Sequence, residues 1–164
     1  MYYDLMPYPL GTLAIAADDA GLRHIEFQEG DRALAIPDHW QHRPNHPLLL
    51  ETKTQLGAYF AGKRTHFDLP LAPRGSAFQK EVWEALCRIP HGQVVSYGEL
   101  ARRLERPKAS RAVGAANGRN PIAIVVPCHR VIGSSGKLTG YAGGLPIKRW
   151  LLDLEGHRSG DPAR

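Results

Sequence analysis

A short stretch rich in proline and glycine, PLAPRGS at residues 70–76, separates two halves of different periodicity, and this change constrains the fold more than any single motif. Ahead of it, the apolar runs TLAIAA (12–17) and LRHIEF (22–27) are set off by the turn signals YPLG (8–11) and DDAG (18–21), the pattern of antiparallel strands. PDHWQHRPNHP (37–47) reads as loop. A helix is expected over 48–60, with Leu48, Leu49, Leu56 and Tyr59 on one face and Gly62 ending it, and THFDL (65–69) is expected to return as a strand.

Behind the break the period becomes helical. SAFQKEVWEALCRI (76–89) places Phe78, Val82, Leu86 and Ile89 at helical spacing, with Cys87 on another face beside Trp83 as a buried, inert thiol. SYGE, from Ser96 to Glu99, is a capping-box pattern opening a short helix through Leu104. RPKAS (106–110) breaks it with a proline placed to start the next helix, SRAVGAAN, which Gly118 stops. Two short helices across a tight break resemble a helix-turn-helix, and Ala112, Gly114, Ala115 and Ala116 would let the second lie close to a partner surface. A last helix starts at Pro146 and ends at Gly156. The chain is therefore expected to fold as an α/β (α+β) protein with a sheet domain over 1–73 and a helical domain over 74–164.

Only two cysteines occur, Cys87 and Cys128, with no CxxC pair, so neither a disulfide scaffold nor a four-ligand zinc site is supported. This suits a reducing, cytoplasmic compartment. The N-terminus lacks the basic and apolar regions of a signal peptide, and no run of about 18 apolar residues suggests a membrane span. The net charge of +5 is unevenly spread. Residues 1–75 carry 7 Lys/Arg against 9 Asp/Glu, and the remainder 14 against 7. A basic half joined to a slightly acidic one points to a polyanion such as nucleic acid as readily as to a solvated surface.

The chemistry gathers in NPIAIVVPCHRVIG (120–133), where an apolar run, expected as a strand, delivers Cys128, His129 and Arg130 in succession. A thiol with an ordinary pKa of about 8.5 is a few per cent thiolate at neutral pH, so reactivity needs a base or a nearby positive charge. His129 and Arg130 are candidates, although neighbours in an extended segment point apart. An imidazole base also needs a group to hold its tautomer, and Glu155 near the end of the last helix is a candidate. Downstream, GYAGG (140–144) is a glycine-rich loop able to approach a small planar ligand, with the Tyr141 ring as one wall. Asn120 before Pro121 is a natural turn residue. On the residues alone, a buried cysteine beside a surface histidine, a Cys-His hydrolase and a redox sensor all stay open.

Taken together, NPIAIVVPCHRVIG, SSGKLTGYAGGLPIKRWLLDLEG, FQKEVWEALCRIPHGQVVSYGELA and ASRAVGAANGRNP resemble, in order, the O6-alkylguanine-DNA alkyltransferases of the bacterial stand-alone type. The resemblance is dense over 76–156. It implies direct-reversal repair of double-stranded DNA in which Cys128 takes the alkyl group from guanine O6, in a single turnover and with no cofactor, and leaves O4-alkylthymine open as a substrate. By the same resemblance, His129 deprotonates Cys128 through a water and Glu155 holds His129. Tyr97 helps rotate the nucleotide and binds guanine N3, and Asn120 is the hinge between the DNA-reading helix and the active site. Val131 and the Cys128 carbonyl read the guanine amino group, and the backbone about Tyr141, Ala142 and Gly143 reaches O6. Arg111 takes the place of the flipped base, while Ser96, Ser110, Ala112, Gly114 and Arg130 meet DNA through the minor groove. The resemblance further implies a ribonuclease H-like first domain, a winged helix-turn-helix-like second, and a monomer with room for cooperative assembly on DNA. Some relatives carry serine at the position of Ala142, and some hold zinc with N-terminal cysteines. The first domain here has no cysteine, so no zinc is expected. A recognition protein without repair activity would lack the cysteine that this chain keeps.

Overall fold

The computed structural model describes residues 1–29 and 33–157. Residues 158–164, the tail of the expected C-terminal domain, lie outside the described residues. The chain forms two compact units, one of Met1–Arg74 with Pro121–Ala123, the other of Gly75–Asn120 with Ile124 onward.

The first unit is a four-stranded sheet with one helix. Strands β1 (Tyr2–Tyr8), β2 (Gly11–Asp18) and β3 (Gly21–Phe27) form successive antiparallel hairpins, and β4 (Gln41–His42) pairs in parallel with the start of β1, giving the order β3-β2-β1-β4. The near-continuous apolar run of β2 suits its central place, where residues 13–17 are all buried. Strand β1 carries no such signature, because Asp4 and Pro7 interrupt its apolar residues. Proline is tolerated there since β4 pairs only with Tyr2 and Tyr3, leaving the far end of β1 an edge. Asp4 is buried but accepts hydrogen bonds from Lys53 and His42.

Helix α1 (Pro47–Phe60) begins one residue earlier than its apolar spacing suggests, since His46 caps it and Pro47 fits the first turn. The expected strand at 65–69 is not formed. The Gln55 side chain binds both the amide (2.9 Å) and the carbonyl (3.0 Å) of Asp68, taking up backbone groups that a ladder would need. Just beyond it, Leu71 makes a single bridge to the sheet, at Leu22. Beside that bridge Gly21 is at φ 141 and a Cβ there would stand 2.7 Å from the Pro70 carbonyl, so the close approach requires glycine.

In the second unit, α2 (Ala77–Leu86) opens on a full capping box in which Ser76 and Gln79 exchange hydrogen bonds of 3.1 and 2.9 Å. Ser76→Ala should cost about 1 kcal/mol. Urea unfolding would show the loss, and an unchanged midpoint would mean that the helix start does not depend on its cap. The helix stops at Leu86, short of the expected 89, and Cys87 is exposed rather than buried. Its sulfur is nonetheless crowded enough for desolvation to raise the thiol pKa.

Helix α3 (Tyr97–Arg103) has half of its expected capping box. Ser96 accepts from the Glu99 amide, but the Glu99 carboxylate turns to Arg102 and Arg103. Pro107 stands in a turn rather than starting a helix, and α4 (Ser110–Gly118) begins without a side-chain cap. Trp83 ties α2 to α4 through a 2.9 Å hydrogen bond to the Ala116 carbonyl. A parallel pair, β5 (Val95–Ser96) with β6 (Val131–Ile132), and α5 (Leu145–Leu154) complete the unit. No helix among the described residues is long and apolar enough to cross a membrane.

Candidate active site

The apolar run before Cys128 is not a strand. Residues 123–125 form a turn in which Ile124 takes φ 72, a costly conformation for a β-branched residue, held by complete burial of the segment. Cys128–Arg130 then make one 3-10 turn. At three residues per turn, consecutive side chains leave the backbone about 120° apart, so cysteine, histidine and arginine reach three surroundings.

All three are buried, and His129 is 0% exposed. His129 Nε2 lies 2.7 Å from Glu155 Oε2. The Arg130 guanidinium spans the same carboxylate, with Nε 2.8 Å from Oε1 and a terminal nitrogen 2.9 Å from Oε2, and donates to the Ile89 carbonyl at 2.7 Å. Arg130, expected to meet DNA, is therefore committed to the interior. A charged guanidinium so far from water requires its carboxylate partner.

The electrostatics follow from this arrangement. Burial alone would raise the Glu155 carboxyl, but the hydrogen bonds and charges of His129 and Arg130 hold it well below the usual carboxylate range. For His129 burial dominates and lowers the pKa, against the hydrogen bond and charge of Glu155, while the charges of Arg130 and Lys148 add to the lowering. A neutral imidazole beside a carboxylate must carry its proton on Nε2, the atom facing the acceptor. Nδ1 then keeps its lone pair, and it has no hydrogen-bond partner within the protein. The site thus holds an imidazole of fixed tautomer, with an available lone pair, one residue along the chain from the cysteine.

Three further side chains, Asn120, Tyr97 and Lys148, tie together the segments around Cys128. Asn120 donates to the Val126 carbonyl at 2.7 Å, fixing the turn from α4 into the segment that carries Cys128. Tyr97 and Thr139 share a 2.8 Å hydroxyl contact. Lys148, 0% exposed, donates to the carbonyls of Val131 (2.7 Å) and Thr139 (3.1 Å). Burial lowers its pKa to about 8, although the charge of Cys128 works in the opposite direction. In the 140–144 loop, Tyr141 and Gly143 are half-buried and Ala142 is exposed. Gly144, at φ 95, turns that loop into α5, a conformation that favours glycine.

These shifts fix a pH profile. Folded His129 and Glu155 bind fewer protons than they do unfolded, so stability should fall as pH drops below about 6.5 and further below about 4.5. Lys148 also binds fewer protons when folded between about 8 and 10.5, so stability should rise with pH across that window, by roughly 3 kcal/mol at most. Urea midpoints against pH measure both trends. A flat profile between about pH 5 and 7 would contradict a buried neutral imidazole.

Arg111, Ser110 and Ala112 lie on the exposed face of α4, outside the buried network. Gly114 is half-buried toward the Tyr97 ring, Ser96 caps α3, and Ala116 faces inward. Two polar residues escaped the sequence reading. Asn117, buried on α4, approaches the Cys128 carbonyl at 3.5 Å. Lys148 shares the face of Leu151, Leu152 and Glu155, so a charge within an apolar stripe was its available signal.

Residues 1–73 match the 6-O-methylguanine DNA methyltransferase, ribonuclease-like domain, and residues 77–157 the 6-O-methylguanine DNA methyltransferase, DNA binding domain. The chain is 53% identical to a methylated-DNA--protein-cysteine methyltransferase of Methanosarcina acetivorans, over 95% of this chain and 99% of that protein. It is 49% identical to the protein of the same name from Mycolicibacterium paratuberculosis, over 96% and 93%. Among solved structures it is similar to Mycobacterium tuberculosis OGT in complex with DNA, with a TM-score of 0.87 and 48% identity over 94% of this chain and 92% of that one.

Proposed function

Because this chain belongs to the 6-O-methylguanine DNA methyltransferase family, we propose that it repairs DNA by moving the alkyl group of O6-alkylguanine to the thiol of Cys128, once per molecule. The observation that carries this reading is the buried Cys128 beside a histidine whose tautomer Glu155 fixes. The thiol proton leaves through a water to His129 Nδ1. The sulfur then attacks the alkyl carbon in line, the carbon–oxygen bond breaks, and guanine keeps the electron pair. A thioether is not hydrolysed, so turnover ends there.

The target base must leave the stack to reach a buried thiol. Arg111 on the exposed face of α4 fills the space it leaves, and the basic second half supplies phosphate contacts as α4 enters the minor groove. Ser96, Ser110, Ala112 and Gly114 shape that approach, while Arg130 drops out of it. A hydroxyl both donates and accepts, so Tyr97 keeps Thr139 while binding guanine N3. The Cys128 and Val131 carbonyls read the amino group, the second lone pair of Val131 remaining after Lys148. The backbone of Tyr141, Ala142 and Gly143 meets O6, and Asn120 is the hinge. In this reading 1–73 form the first domain and 74–164 the alkyl-acceptor domain, and the protein works as a cytoplasmic monomer that can assemble along DNA.

Arg111→Ala should slow repair of duplex by about tenfold or more, since about 1.4 kcal/mol lost from base extrusion has that effect. Reaction with free O6-alkylguanine should hardly change. Equal losses on both substrates would overturn the assignment. Transfer from an O6-methylguanine duplex should stop at one equivalent, whereas continued turnover would indicate a hydrolase.

A further inference from the structure

The buried face of α4 runs Val113, Ala116, Asn117, so an amide closes a stripe that apolar side chains would otherwise fill. For a buried group it bonds poorly. Asn117 Nδ2 stands 3.5 Å from the Cys128 carbonyl, the outer limit of a hydrogen bond, whereas the side-chain bonds of Asn120, His129 and Arg130 run from 2.7 to 2.9 Å. Its Oδ1 is shielded from water and has no hydrogen-bond partner among the described residues. The carbonyl opposite fixes which end of the amide is nitrogen, since two oxygens would repel. A leucine of the same branched shape would avoid the stretched contact and the orphaned acceptor alike, so the packing of this face does not call for an amide.

The Cys128 carbonyl supplies a reason for one. A backbone oxygen has two lone pairs, and one of these accepts from the Val131 amide within the 3-10 turn. The other faces Asn117. A donor arriving on a bound base therefore meets this carbonyl on the side where Asn117 lies. In the repair reading that donor is the 2-amino group of guanine, and its entry displaces only the stretched Nδ2 contact. The terminal torsion of an asparagine side chain is broad, so Oδ1 can turn toward the amino group at little cost. Hydrogen bonds at reacting centres are often long until the substrate is in place.

We propose that Asn117 is a base-selecting residue of the transfer site, its Oδ1 accepting from the 2-amino group of the flipped guanine beside the Cys128 carbonyl. The proposal rests on the reading of Cys128 as the alkyl acceptor and of its carbonyl as a contact of that amino group.

Single-turnover methyl transfer tests this on two duplexes that differ only in the 2-amino group, one carrying O6-methylguanine and the other O6-methylhypoxanthine. The wild-type protein should react about tenfold faster with the first, the effect of about one hydrogen bond to the base. Asn117→Leu should slow transfer from O6-methylguanine by about three- to tenfold and alter transfer from O6-methylhypoxanthine by less than about twofold. Comparing variant with wild type on each duplex cancels any difference in how the two bases pair. Asn117→Ala, which suits a helix and removes bulk as well as the amide, should lose the same discrimination. The urea midpoint of Asn117→Leu should match or exceed that of wild type, because a poorly satisfied buried amide is gone.

Equal slowing on both duplexes with a lower midpoint would make Asn117 a structural brace and overturn its selecting role. Unchanged rates in both variants would overturn it too, and in either case transfer to Cys128 would stand. Equal wild-type rates on the two duplexes would overturn the proposal together with the reading of the amino group. Absence of wild-type transfer from both would overturn the alkyl-acceptor reading and, with it, the proposal.

Discussion

Glu155→Ala is expected to lower stability by about 3–5 kcal/mol and to abolish detectable repair, the largest effect on stability expected of a single substitution here. The carboxylate accepts from His129 and twice from Arg130, and all three side chains are shielded from water. Its removal leaves a buried guanidinium without a counter-charge and an imidazole without an orienting acceptor. Glu155→Gln retains one acceptor oxygen but not the charge, so it should fall between wild type and alanine. Urea unfolding at neutral pH makes the comparison. A loss below about 1 kcal/mol for the alanine variant would place Glu155 among ordinary neutral hydrogen bonds rather than at a charge centre.

His129→Gln is expected to slow methyl transfer by about 10²–10⁴, the usual contribution of a positioned general base. The imidazole is 0% exposed, its Nε2 is held by Glu155, and its Nδ1 is free to take the thiol proton. Glutamine can still donate to Glu155 but cannot accept that proton at neutral pH, so folding should survive better than activity. The rate should recover toward wild type as pH rises and hydroxide replaces the base. A variant with less than about threefold loss, or with an unchanged pH profile, would show that Cys128 ionises without His129.

Much of this site can be read from sequence because its parts fall in dense local motifs. Cys128 and His129 stand together, and Glu155 lies two helical turns beyond Lys148 on an apolar face. Phe78, Val82 and Leu86 marked α2 by spacing alone. Three other features depend on partners distant in sequence. Arg130 looks like a DNA contact until Ile89 and Glu155 are seen to enclose it. Residues 122–126 have the composition of a buried strand, yet only Ile122 pairs, with Ile25, and Ile124 then turns the chain, because burial accounts for the rest of the apolar run. Strand β1 hides behind Asp4 and Pro7, each of which is accommodated by its neighbours: Asp4 by Lys53 and His42, Pro7 by an open edge.

The reading of Cys128 as an alkyl acceptor is tested most directly by intact-protein and peptide mass spectrometry after incubation with an O6-methylguanine duplex. One methyl group per molecule, mapped to the Cys128 peptide with Cys87 unmodified, is the predicted result. DNA binding with no gain in mass, or a methyl group found on Cys87, would contradict it.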